Sequence, residues 1–324
     1  AMTFGDETVA SFSLARTGDT ATLTAQADVA GWPLLTAVAE RAGGRIDVQG
    51  RANLTDPAHA PVTLDLKAPA GALTATTQFD FTTWAMPAQV NTVGSGLDLA
   101  VLAPPLSGKV DASGVLTLAL PGLDWNGEAT AERIAWPSGS AARVATPIEL
   151  TFSGKTISWQ ARAMRIEGGR IDAVPALAPA RYTASVRGEV NLRSRLVEIY
   201  GAQIEGAPGA VSARGSYDTR NGAVDFQGAA RVARLADVSP LTGTAQGRWT
   251  VRSASSRAPI RITTDMEGRN VGSENATLVE LLGPNPRIVL AGVVSNGRFA
   301  VESGSFQGAA VRANLSGRIA DSGA

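Results

Sequence analysis

The chain has 324 residues, 44% of them hydrophobic but only 5% aromatic, with 35 glycines, one histidine and no cysteine. Its 29 basic and 29 acidic side chains cancel, so no net positive field invites nucleic acid. Without thiols there is no disulfide framework, and with a single imidazole no nitrogen- or sulfur-ligated zinc site can be assembled.

In chain order, residues 20–29 alternate strictly: Ala21, Leu23, Ala25, Ala27 and Val29 are apolar, while Thr20, Thr22, Thr24, Gln26 and Asp28 are polar. That period of two predicts a strand with one dry and one wet face. Residues 33–43 break the pattern. Pro33 stands at a first helical position, Leu35, Val38, Ala39 and Ala42 share a face, and Gly43 ends the run, which predicts a short helix. Alternation resumes over 45–54 and 61–68, around the proline-flanked turn that carries His59, and recurs over 73–81, 148–152, 182–193, 211–217 and 260–266. A second short helix is expected over 275–283, with Asn275 as cap and Gly283-Pro284 as stop. A last strand runs over 311–319.

Parallel sheets buried under helices carry solid apolar runs instead of alternation. The expectation is therefore an all-β chain whose sheet is mainly antiparallel with one face solvated. Each short helix has an apolar stripe to bury and is expected to pack on the apolar face. Domain organisation reads as one continuous body over 1–324, with a loose module boundary near 120–140. Two echoes, Gly43-Gly44-Arg45-Ile46-Asp47 with Gly168-Gly169-Arg170-Ile171-Asp172 and Pro105-Leu106-Ser107-Gly108 with Pro240-Leu241-Thr242-Gly243, fit a sheet that grows by adding strands.

Chemistry is scarce. His59 lies in Asp56-Pro57-Ala58-His59-Ala60-Pro61, a turn with no visible partner for a general base. No Gly-x-Ser-x-Gly elbow, calcium loop or phosphate-binding Gly-x4-Gly-Lys loop occurs, and nothing marks one carboxylate pair, such as Asp65 and Asp80, above another. The expectation is a protein that is not an enzyme and holds no cofactor or metal. The six tryptophans, Trp32, Trp84, Trp125, Trp136, Trp159 and Trp249, read as strand-edge packing or as groove-mouth and headgroup contacts. No apolar run approaches the ~20 residues that span a bilayer, and no signal peptide is visible.

The stretch Leu235-Ala236-Asp237-Val238-Ser239-Pro240-Leu241-Thr242-Gly243-Thr244-Ala245-Gln246-Gly247, followed by alternation to Arg252, resembles a recurring phrase of the AsmA-like family of bridge-like lipid transfer proteins, in particular its TamB (translocation and assembly module) type. Residues 278–294, Asn296-Gly297-Arg298-Phe299 and residues 304–319 are similar to that family in style and order. The resemblance implies an elongated, curved β-taco with an open apolar groove, in the periplasm of a cell whose full-length protein is anchored in the inner membrane. It further implies glycerophospholipid transport between inner and outer membranes, or outer-membrane protein assembly and secretion with a barrel partner of the Omp85 type. The membrane anchor is missing from this fragment, Ala1-Met2 reads as an expression scar, and no barrel-docking segment is recognisable.

Acyl chains are the partner such a groove would hold. Its lining is expected from Leu23, Val48, Leu64, Leu66, Leu150, Phe152, Val186, Val190, Ile262, Leu290, Val311 and Leu315. The competing reading is a β-rich structural or adhesive module in which those side chains close on one another as a core.

Overall fold

The computed structural model describes residues 2–4, 7–28, 45–85, 87–102, 106–119, 122–137, 139–171, 180–237, 239–295 and 298–318. The helix expected over 33–43 lies outside the described residues. The chain divides into two compact units, Ala1–Gly154 and Lys155–Ala324.

The first unit holds β1 (Met2–Phe4), β2 (Glu7–Thr17), β3 (Thr20–Asp28), β4 (Arg45–Asn53), β5 (Ala60–Ala68), β6 (Gly71–Phe79), β7 (Gln89–Asp98), β8 (Ser107–Ala119), β9 (Gly122–Trp136) and β10 (Gly139–Ser153). Each pairs antiparallel with the next in sequence. Within 120–140, β9 takes up residues 122–136 and β10 begins at Gly139. A four-residue helix, α1 (Leu99–Leu102), follows β7, with the Asp98 carboxylate accepting from the Ala100 N–H.

The second unit repeats the meander with β11 (Thr156–Ile171), β12 (Ala180–Asn191), β13 (Leu196–Gly206), β14 (Gly209–Asp218), β15 (Ala223–Val232), β16 (Thr242–Ser253), β17 (Ile260–Gly272), β18 (Arg287–Ser295), β19 (Arg298–Gln307) and β20 (Arg312–Arg318). Again every strand pairs antiparallel with its successor. Between β17 and β18 lies α2 (Ala276–Leu282). Its Asn275 cap accepts from the N–H groups of Thr277 and Leu278, and Gly283 ends it at φ 65°, a left-handed conformation that glycine adopts without a Cβ penalty. Leu278, Val279 and Leu281 of this helix stay more than a third exposed.

The alternation written in the sequence thus becomes an all-β, antiparallel, open sheet. Among the described residues every ladder within a unit joins strands that follow one another in the chain, and none joins a unit's first strand to its last. Among the described residues the buried hydrophobic ones are few and mostly small, Ala52, Ala60, Ala131, Ile134, Ala141, Ala161 and Val271, and no large side chain is fully buried. A sandwich would bury interdigitated side chains about 10 Å thick between two sheets; here the described apolar face lacks that second layer. Bulges interrupt the ladders, for example between Ala161 and Met164 and between Ile199 and Ala202, where an extra residue bends the strand and strengthens its twist.

Candidate functional site

Directly paired residues in an antiparallel ladder share a face, so register assigns every side chain. In the first unit one row runs Phe12, Ala25, Val48, Leu66, Leu73, Gly94, Ala112 and Ala129 to Thr146. The adjacent row runs Leu14, Leu23, Gly50, Leu64, Ala75, Thr92, Gly114 and Gly127 to Ile148, and Leu116 pairs through Trp125 to Leu150. Leu23, Val48, Leu64, Leu66, Leu150 and Phe152 therefore stand on one face, and each is half-buried.

In the second unit the dry face carries Val186 and Val190, opposite Ala202 and Val197, and continues through Ala213 and Tyr217, Gly228 and Val224 to Trp249. Val251 then pairs with Ile262, Thr264 with Leu290, and Leu290 with Gly304, which faces Leu315. Val186, Val190, Ile262, Leu290 and Leu315 share this face; Leu315 is 44% exposed and the other four are half-buried. Val311 lies in the turn just before β20, where its carbonyl accepts from the Gly308 N–H.

Large rings roof glycines on these faces. Trp159 pairs with Gly188, Trp249 with Gly228, Phe226 with Gly215, and Tyr182 with Gly206. A Cβ on Gly188 or Gly228 would lie 2.8 Å or 2.7 Å from the indole opposite, so the missing side chain is the seat of the ring. This cross-strand covering of glycine by an aromatic fills what would otherwise be a gap in the sheet surface. In the first unit Trp125 spans Gly114 and Gly127, and its indole N–H donates to the Thr92 hydroxyl at 2.8 Å. The alternation alone did not announce these pairs; the signal was a tryptophan, tyrosine or phenylalanine one hairpin away from a mid-strand glycine.

The opposite, wet face holds the concavities. In the second unit one hollow of about 860 Å³ is bordered by Arg231, Arg248, Asp265, Glu267 and Arg287, and a neighbour of about 790 Å³ by Arg187, Arg214 and Arg248. Both sit over the small residues Ser212 and Ala229. Arg287 grips Asp265 with two bonds, Nε to Oδ1 at 2.8 Å and Nη2 to Oδ2 at 2.6 Å, which holds the Asp265 carboxyl below the usual range. Arg252 with Asp225 (3.0 Å) and Arg261 with Glu302 (3.2 Å) are further exposed pairs, each worth about 0–1 kcal/mol. The Tyr200 hydroxyl is pushed up to about 12 by its hydrogen bond to Glu189, with burial and the charges of Glu189 and Glu198 acting in the same direction.

Other expected sites fall where turns need them. His59 closes the 3-10 turn Pro57–His59 and approaches Asp56 at 3.2 Å, exposed. Asp65 accepts from the Thr74 hydroxyl on the wet face, while Asp80 is spent on Thr82 and Thr83, which hold its carboxyl well below the ordinary range. Beside that turn Phe79, Phe81 and Trp84 form an aromatic cluster with ring centroids 4.7–6.1 Å apart, and Trp84 is 71% exposed. Among the described residues no group of three metal-ligating side chains occurs, and no helix is long and apolar enough to cross a membrane. No family model matches the chain, and no curated protein matches it either.

Proposed function

We propose that the chain is a periplasmic bridge segment whose dry face carries acyl chains, serving glycerophospholipid movement between the two membranes or outer-membrane protein assembly. The observation that carries this reading is the register. It lines one face across nine successive strands of each unit, β2–β10 and β12–β20, with apolar side chains interspersed with glycine and threonine, and none of the large ones is sealed under a second layer among the described residues.

The energetics fit such a role. A buried methylene is worth about 0.8 kcal/mol, so shielding a sixteen-carbon chain from water recovers on the order of 12 kcal/mol. Strands about 4.8 Å apart carry such a row across nine strands for roughly 40 Å, longer than an extended acyl chain. The competing adhesive-module reading needs a closed core of large side chains, which the described residues lack.

The test places a photo-crosslinking residue at Ile262 or Leu290 on the dry face, or at the outward neighbours Arg261 and Thr263. Phospholipid captured in cells at the first pair and not at the second is the expected result. Capture only at Arg261 and Thr263 would remove the reading.

A further inference from the structure

The zero net charge conceals a separation. Residues 1–154 contain 8 basic and 15 acidic side chains, a balance of −7, and residues 155–324 contain 21 and 14, a balance of +7. Three of the second unit's arginines gather at one place on its wet face, with Asp265 facing only Arg248 among them. Arg187, Arg214 and Arg248 border the hollow of about 790 Å³ on the wet face, and among the described residues no Asp or Glu lines it.

Of the carboxylates around it, Glu198 acts on the lining Tyr200 by its charge, and two others hold partners of their own. Glu189 accepts from Tyr200, and Asp265, across the ladder from Arg248, is clasped by Arg287 at 2.6 and 2.8 Å. Arg187 lies over Gly201, whose missing side chain leaves the floor open. Gln203, Gln227 and Thr250 add neutral donors around the rim. Three guanidinium forks above a floor of Gly201, Ser212 and Ala229 suit a tetrahedral oxyanion, because each fork offers paired N–H donors matched to two phosphate oxygens.

We propose that this hollow is a binding site for a phosphate-bearing anion, set on the face of the sheet opposite the apolar rows. The site does not depend on acyl chains occupying the dry face. Its ligand is defined by clustered phosphate oxyanions, whether on a soluble phosphate ester or on the headgroups of an anionic lipid surface.

The test titrates inorganic pyrophosphate into the full chain by calorimetry at 0.15 M salt, and in parallel measures co-sedimentation with phosphatidylglycerol vesicles against phosphatidylcholine vesicles. The triple substitution Arg187→Gln, Arg214→Gln, Arg248→Gln is expected to weaken pyrophosphate binding at least tenfold. Arg→Lys at the same positions should retain part of it, since charge persists but the paired donors do not. The charge-matched control Arg193→Gln, Arg220→Gln, Arg257→Gln, taken from turns, should leave it unchanged. Pyrophosphate binding without vesicle binding assigns a soluble ester; binding of both assigns a headgroup. Equal losses in the two triple variants, or no pyrophosphate binding below about 1 mM, would overturn the proposal. So would self-association that the first triple variant abolishes while pyrophosphate fails to bind, which would give the hollow to the acidic half of another copy.

Discussion

The two units are built by the same rule and surfaced in opposite ways. Both are sequential antiparallel meanders with one apolar face, yet the first carries an excess of carboxylates and the second an excess of arginines. Their dry faces differ as well. In the first unit the middle strands present Thr92, Gly94, Ala112, Gly114, Gly127 and Ala129, a shallow floor bridged by one indole tied to Thr92. In the second, ring after ring is seated on a glycine of the neighbouring strand, through Trp159, Tyr182, Phe226 and Trp249. Alternation decides which face is dry, while the residue size at each register position decides how that face is textured.

The largest expected effect tests the seats. Gly228→Val places a side chain where the Ser212 carbonyl and the Trp249 ring already stand, and should cost on the order of 3 kcal/mol in a denaturant titration. By contrast Gly18→Ala meets no neighbour and strains only a turn at φ 58°, for about 1 kcal/mol. Equal losses at the two would mean that the rings are not seated as described.

The two indoles separate the units more finely. Trp125→Phe removes the N–H that donates to Thr92 and should cost about 1 kcal/mol. Trp249→Phe keeps a ring over Gly228 and gives up no such bond, so its loss should be close to half of that or less, read as a shift in urea midpoint. A larger loss at Trp249 would reverse the contrast.

Much of this fold is legible in the sequence because a period of two has one physical meaning. The strands around Leu23, Val48, Leu64 and Ile262 and the helix capped by Asn275 lie where alternation and capping chemistry put them. The four-residue helix after β7 has no periodicity to betray it. The glycine seats were illegible for a different reason. Which glycine meets which ring depends on register, and bulges such as those at Ala161 and Ile199 shift register by one residue. The arginine hollow was hidden by summing charge over the whole chain. Arg214 and Arg248 lie on one face because β14 and β16 are both next to β15, a fact of pairing and not of spacing.

Charge separation gives a smaller but direct observable. At pH 7 and low salt the full chain, formally neutral, should be retained on both anion and cation exchangers, and released from both as salt shortens the screening length to about 8 Å near 0.15 M. Retention on neither would mean that opposite charges are interleaved instead of segregated. Neutralising Arg187, Arg214 and Arg248 together should weaken retention on the cation exchanger and leave the other column nearly unaffected.

The smallest effect concerns a turn of the second unit. The side-chain hydrogen bond from Arg220, its Nη2 2.8 Å from Asp218 Oδ2, is the main force lowering the Asp218 carboxyl to about 2, helped by the Arg220 backbone N–H. A carboxylate depressed in the folded state favours folding above its unfolded value near 4, and that contribution fades as pH falls through the folded value. Stability should therefore be level from pH 7 to about 4 on account of this group and decline between about pH 4 and pH 2. Asp218→Asn should lower the plateau slightly and flatten that segment of the acid limb, seen as a converging pair of urea midpoints at pH 7 and pH 3. An unchanged acid limb in the Asn variant would show that Arg220 lies free in solvent. The turn between β14 and β15 would then be held without the Arg220 side chain, by bonds such as those from the Gly222 N–H to the Asp218 carbonyl and from the Ala223 N–H to Asn221 Oδ1.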